Sequence, residues 1–197
     1  LAQGSGCTPG AQSKGIATFR AAFPTYAALI VEKMGIAPDM IVDENACPAD
    51  FVERYALSQR IEDYQLVLAA LEPIAGKLVL MGGSEGGMAV SILASQLDPD
   101  RTIILSSATG NTFGEMILST VPPEGQDHVK AGFDAARANP DSAILFIGHT
   151  QRFWADSLDH RSLDYLLKAD SPILLIQGGR DTSGPVASAR ITTDAFA

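Results

Sequence analysis

Residues 77–87 read KLVLMGGSEGG, and this stretch indicates the fold more strongly than any other. Residues 77–81 predict a buried strand, residues 85–97 predict a helix, and the G-x-S-x-G turn at residues 82–86 joins the two. Glycines at so tight a turn let the backbone pass close to itself. The turn lifts the Ser84 hydroxyl above the sheet, where the free N–H groups of the helix N-terminus point at it. Ser84 is therefore predicted to be a nucleophile.

The same glycines have two alternative explanations. A glycine-rich turn can join a strand to a helix around a serine that does no chemistry. A nucleotide-binding loop is the other alternative, but no Lys-Ser or Lys-Thr follows the glycines, as a P-loop requires. A dinucleotide fingerprint fails as well, because Ser84 occupies its middle glycine position and no acidic residue follows the next strand. The strand before the turn and the helix after it favour the nucleophile.

The rest of the chain alternates between predicted helices and short apolar strands. Apolar residues recur at helical spacing from Leu57 to Leu71, in a helix that Asp50 is predicted to cap and Pro73 to end. This alternation is typical of an α/β fold with a mostly parallel sheet. Further helices are predicted at residues 11–23 and after Pro185, and further strands at residues 26–31, 102–105 and 172–176, with the end of a strand at Leu1.

Composition argues against several classes of protein. Across 197 residues, 14 Lys and Arg stand against 23 Asp and Glu, and this net charge of -9 argues against binding nucleic acid, whose phosphates require clustered positive charge. The longest apolar runs, such as residues 26–31 and 66–71, are too short to span a bilayer. Three His and two Cys at no metal-ligand spacing predict no metal site, and no cofactor is expected.

Three segments together resemble a known family. Residues 78–87 look like a nucleophile strand and turn, residues 171–181 (SPILLIQGGRD) look like a late strand that delivers a catalytic acid, and residues 3–7 (QGSGC) look like an oxyanion loop. In this order, they resemble the α/β-hydrolase fold family, with residues 3–7 similar to the loop after its third strand. The resemblance spans nearly the whole chain.

The resemblance implies a fold, a domain division and an activity. It implies a three-layer α/β/α architecture with a mostly parallel sheet, in which residues 1–110 and 171–197 form the core. Residues 111–170 would form a helical cap inserted after the strand that follows the nucleophile helix. The implied activity is that of a serine hydrolase. It would cleave a carboxylic ester, or a thioester or amide, of a small-molecule substrate through an acyl-enzyme on Ser84.

The resemblance also assigns further catalytic groups. Asp181, which follows the late strand and two glycines, would be the acid that orients the catalytic histidine. The Glu85 amide would be one oxyanion donor, and the amide of Ser5 or Gly6 would be the other. Alternatives stay open for both, because Asp181 and the glycines around Ser5 also suit plain turns.

The histidine of the triad is not where the family has it. There it follows the acid, whereas His128, His149 and His160 all precede Asp181. One explanation is that the chain omits the last strand and its histidine loop, just as it omits the early strands. The other is that His149 or His160 has taken the role. A non-catalytic binding protein of the same fold, or an inactive fragment, is the alternative to an active hydrolase.

Two groups of side chains carry further predictions. Phe146, Phe153 and Trp154 either line an acyl pocket or attach the cap helices to the sheet. Cys7 and Cys47 are expected on loops near the active-site edge, where they either form a disulfide or remain two thiols. A disulfide would brace the loop at Cys7 and imply an oxidising compartment, secreted or periplasmic, whereas thiols would suit the cytoplasm. No pattern in the sequence predicts the oligomeric state.

Overall fold

The computed structural model describes residues 1–71 and 76–197, and a small parallel sheet lies at its centre. Three strands form this sheet, in the order β1-β2-β5: β1 (Val79–Gly83), β2 (Arg101–Leu105) and β5 (Ile173–Ile176). Because β2 pairs in parallel with both of its neighbours, all three strands end at the same edge of the sheet. The α/β class and the parallel strands predicted from the sequence are confirmed.

Isolated bridges and one hairpin complete the β-structure of the described residues. Ala2 forms an isolated parallel bridge with Gly82 on the edge of β1 that faces away from β2. The strand end predicted at Leu1 is therefore present as a single bridge. A separate antiparallel hairpin pairs β3 (Leu145–Phe146) with β4 (His149–Thr150).

Three of the described helices begin at a residue whose side chain caps them. Thr112 and Glu115 form a capping box at the start of one helix, and Ser13 and Thr150 each accept a hydrogen bond from an N–H group at the start of another. No helix in the described part of the chain combines the length and the apolarity needed to cross a bilayer. In chain order, the α-helices of the described residues are α1 (Lys14–Ala22), α2 (Ala49–Arg54), α3 (Leu57–Ala70), α4 (Glu85–Leu97), α5 (Phe113–Thr120), α6 (Pro123–Ala138), α7 (Gln151–Ser157), α8 (Ser162–Leu166) and α9 (Val186–Ala195).

Most elements predicted around the sheet are confirmed. The helix predicted at residues 85–97 is α4, and the helix predicted after Pro185 is α9. The strands predicted at residues 102–105 and 172–176 are β2 and β5, each displaced by one residue at its start. The helix predicted at residues 11–23 forms as the shorter α1.

The single helix predicted to begin at Asp50 is wrong, because two helices, α2 and α3, take its place. Tyr55 and Ala56 lie between them in extended backbone, with ψ angles of 125° and 150°. The break lets the Tyr55 ring enter the core, where its hydroxyl donates a hydrogen bond to Glu85. Asp50 lies in the first turn of α2, whose N-cap is Pro48, so the predicted Asp50 cap is wrong as well.

The apolar face predicted for α3 is largely confirmed. Leu57, Ile61, Tyr64 and Leu68 are buried, as the helical spacing predicts. Leu71, the last residue of the predicted face, is 50% exposed. The helix end predicted at Pro73 lies outside the described residues.

The strand predicted at residues 26–31 is wrong, since the structure has no strand there. Within the described residues this segment pairs with no strand, although the Leu1 ammonium group donates to the Leu29 carbonyl oxygen at 2.8 Å. A strand requires a ladder of such bonds, because each unpaired peptide group would otherwise be satisfied only by water. The apolar composition of this segment was therefore not sufficient to predict a strand, because a strand also needs a neighbour to pair with.

Residues between β2 and β5 share one hydrophobic core with the helix that follows β1. Residues 85–94 of α4 are all buried, and Phe113, Phe133, Phe153 and Trp154 belong to the same core as Leu93. Helices α5 to α8 and the β3–β4 hairpin all occur in this segment. Of these elements, α8 packs directly against α4, the helix that begins at the residue after Ser84.

Candidate active site

Three polar residues follow the three parallel strands at one edge of the sheet. Ser84 follows β1, Ser106 follows β2, and Asp181 lies five residues beyond the end of β5. The Ser84 N–H donates to the Leu105 carbonyl at 3.0 Å, and the Ser106 N–H donates to the Ile176 carbonyl at 2.8 Å. These bonds continue the sheet past its strands, so the residues that follow are brought together, as α/β sheets do at their ligand sites.

Ser84 has a strained backbone. Its φ of 52° and ψ of -127° lie in a region that side chains rarely adopt, and the residue forms the turn between β1 and α4. Such a conformation costs about 1–3 kcal/mol and persists only where surrounding packing enforces it. The Ser84 side chain is exposed at the N-terminus of α4, where the helix presents N–H groups without intrahelical partners.

Two glycines enforce this conformation. A Cβ atom on Gly82 would overlap the carbonyl oxygen of Gly86, and a Cβ atom on Gly86 would overlap the carbonyl oxygen of Ala2. Both obstructing atoms belong to the backbone, which cannot move aside as a flexible side chain would. The serine turn, residues 82–86, therefore depends on glycine at both positions.

The loop at residues 3–7 lies directly against Ser84. A Cβ atom on Gly4 would be 3.3 Å from the Ser84 Cβ and 3.7 Å from the Ser84 Oγ. Ser5 is partly buried and Gly6 is exposed. The amides of Ser5 and Gly6 have no hydrogen-bond acceptor within residues 1–71 and 76–197. Both predicted loop donors are therefore unpaired next to the serine turn.

A disulfide joins this loop to a distant segment. Cys7 and Cys47 are bonded, with their Cα atoms 5.8 Å apart, so the structure has the disulfide rather than the two thiols that the sequence left open. Cys7 is fully buried, and it belongs to the main hydrophobic core. The bond anchors the far end of the 3–7 loop.

Replacing both Cys7 and Cys47 by Ala is expected to lower the free energy of unfolding by about 2–4 kcal/mol, because the bond closes a 40-residue separation in the unfolded chain. Urea unfolding of the oxidised protein and the double variant measures the difference. Reduced wild-type protein is the control, and it should unfold at nearly the same urea concentration as the variant. Equal midpoints for oxidised wild type and variant would contradict the expectation.

Asp181 is held in a turn. Its Oδ1 accepts hydrogen bonds from the Ser183 and Gly184 amides at 2.9 and 2.8 Å, and its Oδ2 accepts one from the Gln177 amide group at 3.1 Å. The Gly184 amide, with the Ser183 amide and the Ser106 and Gln177 side chains, holds the Asp181 pKa below its ordinary value against a smaller effect of burial. The carboxylate is thus ionised and oriented, and these bonds also suit a turn-forming Asp.

The three histidines have partners other than Ser84 and Asp181. The His160 Nδ1 is 2.5 Å from the Tyr165 hydroxyl, and the His128 ring lies 5.7 Å from the Phe146 ring. Within the described residues, no hydrogen bond joins a histidine to Ser84 or Asp181. The same part of the chain contains no group of His, Cys, Asp and Glu that could hold a metal ion.

His149 packs among aromatic rings that include Tyr55. Its ring stacks on the Phe153 ring at 4.0 Å and lies 6.2 Å from the ring of Tyr55, whose hydroxyl binds the Glu85 carboxylate. Burial lowers the His149 pKa, against an opposing effect of the Glu85 charge, so the imidazole is held mainly in its neutral form. These contacts fix His149 in an aromatic cluster.

Two of the three predicted pocket aromatics, Phe153 and Trp154, lie in the core, and the partly buried Phe146 packs against it. Phe153 and Trp154 are 1% and 2% exposed, and the Trp154 indole N–H donates to the Phe146 carbonyl at 2.6 Å. None of the three lines the cavity next to Ser84, whose aromatic lining residue is Phe113. That cavity measures about 20 Å³, room for about one water molecule.

A buried charge cluster, which the sequence pattern did not predict, lies behind the serine turn. It consists of Lys33, Tyr55, Arg60 and Glu85, which are 2–4% exposed. Arg60 donates to the Glu85 carboxylate at 3.0 Å and to the Tyr55 hydroxyl at 3.3 Å. The sequence does contain one indication of this cluster. Arg60 falls on the apolar face of α3, three residues after Leu57 and four before Tyr64. A charged side chain on such a face requires a buried partner.

The chain matches no protein-family model, and it has no significant match among curated proteins or among solved structures.

Proposed function

We propose that this protein is a serine hydrolase that cleaves a carboxylic ester, or a thioester or amide, of a small molecule through an acyl-enzyme on Ser84. The observation that carries the proposal is the positive φ of Ser84, 52°, at a turn between a parallel strand and a helix. Strain of this kind is maintained at functional sites. A serine whose only role was to connect β1 to α4 would gain stability by being replaced with glycine.

The surroundings of Ser84 support the nucleophilic step of acyl transfer. Its exposed hydroxyl would attack the substrate carbonyl, and the oxygen that becomes negative would be bound by the amides of Glu85 and Ser5. A histidine would accept the serine proton and return it to the leaving group, and Asp181 would orient that histidine. No described histidine forms a hydrogen bond with Ser84, so the proposal rests on the nucleophile, the oxyanion donors and the acid.

The arrangement of strands supports an α/β-hydrolase fold as part of this proposal. The chain segments run in the order Ala2, β1, β2, β5 across the sheet, with Ser84 after the second and Asp181 beyond the fourth. In the same proposal, residues 111–170 are the cap, since helices α5 to α8 separate β2 from β5. An ester is the first expectation for the substrate.

A binding protein of the same fold is the second candidate. The observation that favours it is the absence, within the described residues, of a histidine bonded to Ser84. Such a protein would retain the turn as an inherited feature and perform no chemistry.

Hydrolysis of short-chain p-nitrophenyl esters tests the proposal. The wild-type protein is expected to release p-nitrophenol, and Ser84→Ala is expected to lower kcat/KM at least about 10⁴-fold, because removing the nucleophile of a triad has an effect of that order. Ser119→Ala is the matched control, since Ser119 is an exposed helical serine whose hydroxyl donates only to its own helix. Hydrolysis that survives in Ser84→Ala, or is absent from the wild type, would contradict the proposal.

A further inference from the structure

Two cations of the buried charge cluster hold the carbonyl groups of the 3–7 loop. The Lys33 ammonium donates to the carbonyl oxygens of Gly4 and of Gly6, the latter at 2.6 Å. The Arg60 guanidinium donates to the carbonyl oxygen of Gln3 at 2.5 Å. Three carbonyl groups of a five-residue loop are thus drawn toward one buried positive region.

This attachment sets the direction of the amides in the same loop. In a planar trans peptide, the C=O and the N–H of one unit point in opposite directions. The unit whose oxygen binds Lys33 at Gly4 carries the N–H of Ser5, which must therefore point away from the cations. Gly4 itself lies against the Ser84 side chain, and the Ser5 amide has no acceptor in the described part of the chain.

We propose that Lys33 is a positioning residue, which fixes the Ser5 amide as the second oxyanion donor for a reaction at Ser84. The catalytic role of Lys33 in this inference rests on the proposed function. Its effect on the loop structure rests only on its bonds to the Gly4 and Gly6 carbonyl oxygens. Lys33 suits the task because a single buried ammonium group can donate to both carbonyls at once. Its ammonium also lies 5.0 Å from the centre of the Tyr55 ring, which holds it in place.

Because Lys33 is charged, the reaction at Ser84 should depend on pH. Burial and the Arg60 charge lower its pKa to about 7, so the ammonium loses its proton as the pH rises above neutrality. A neutral amine makes weaker hydrogen bonds to carbonyls than an ammonium does. Acylation of Ser84 should therefore decline as the pH rises through about 7, by way of Lys33. The charged and titratable groups that face it are Glu32, Tyr55, Arg60, Glu85 and His149.

The rate at which an alkyl fluorophosphonate phosphonylates Ser84, with fluoride as the leaving group, tests the role of Lys33, because the phosphoryl oxygen occupies the oxyanion site. Lys33→Met is expected to lower the limiting rate constant about 10²-fold with little change in the concentration for half-maximal rate, which is the usual effect of losing one oxyanion donor. Lys33→Gln keeps two N–H donors without the charge. It should recover part of the rate and lose the decline above neutral pH.

A matched control and a second measurement complete the test. Lys168→Met removes a lysine that also lies over a tyrosine ring, Tyr165, but is exposed, and it should leave the rate unchanged. In NMR spectra, the ¹³C carbonyl resonances of Gly4 and Gly6 should shift in Lys33→Met and not in Lys168→Met. Unshifted carbonyls, or a folded Lys33→Met that reacts at the wild-type rate, would overturn the inference. A wild type that is never labelled refutes the proposed function instead, and the carbonyl resonances still decide whether Lys33 positions the loop.

Discussion

Replacing Gly82 by Ala is expected to lower the free energy of unfolding by about 3 kcal/mol, at the upper end of the range for overpacked sites. The added Cβ would overlap the Gly86 carbonyl oxygen and crowd its carbonyl carbon, and both atoms are backbone at the start of α4. To remove this overlap, β1 and α4 would have to move apart at the turn where Ser84 has its strained conformation. Reaction at Ser84 should therefore be lost even in molecules that remain folded.

Gly179→Ala is the matched control for this substitution. Gly179 lies in the loop after β5, and a Cβ atom there would meet no atom within 4 Å, so the change should stay within about 0.5 kcal/mol. Urea unfolding monitored by circular dichroism gives both free energies. If Gly82→Ala and Gly179→Ala unfold at the same urea concentration, the proposed overlap of a Cβ atom at residue 82 with the Gly86 backbone is contradicted.

Replacing Arg60 by Met is expected to lower the free energy of unfolding by about 3–5 kcal/mol, the usual cost of breaking a buried ion pair from one side. The Glu85 carboxylate would lose its bond of 3.0 Å to the guanidinium, and the Gln3 carbonyl would lose its donor as well. One oxygen of Glu85 already has no hydrogen-bond partner among the described residues. The remaining partners, Tyr55 and the Lys33 charge, compensate the carboxylate only in part.

A double-mutant cycle separates the ion pair from the packing of Arg60. The double variant, Arg60→Met with Glu85→Gln, removes both charges together. Its loss in free energy of unfolding should therefore be clearly smaller than the sum of the losses in the two single variants. Arg161→Met is the control for a surface pair. Arg161 lies 2.6 Å from Asp164 with both side chains more than 40% exposed, so its loss should change stability by less than about 1 kcal/mol. If the losses of the two single variants add up to the loss of the double variant, the stabilising Arg60–Glu85 ion pair is contradicted.

The sequence was sufficient for the serine turn because its signals are local. Strand β1, the glycines and α4 occupy one continuous stretch, and each residue type has a direct physical reason for its place. The bounds of α4 were predicted to the residue, since the turn sets its start and Asp98, with a φ of 46°, ends it. The parallel sheet followed from the same alternation of apolar strands and helices.

The buried charge cluster and the strand predicted at residues 26–31 show where local signals are insufficient. The cluster brings together Lys33, Tyr55, Arg60 and Glu85, and no sequence spacing reveals that four separate positions meet in space. The predicted strand had the right composition, yet a strand is stable only where a neighbour pairs with it. Both outcomes depend on tertiary partners.

The site of covalent modification by an alkyl fluorophosphonate tests the central claim most directly. After incubation, intact mass and peptide mass spectrometry count the adducts and locate them. The proposal predicts one adduct per chain, on Ser84, and none in Ser84→Ala. An adduct on another residue, or an unmodified protein beside a serine hydrolase that is fully labelled in the same mixture, would contradict it.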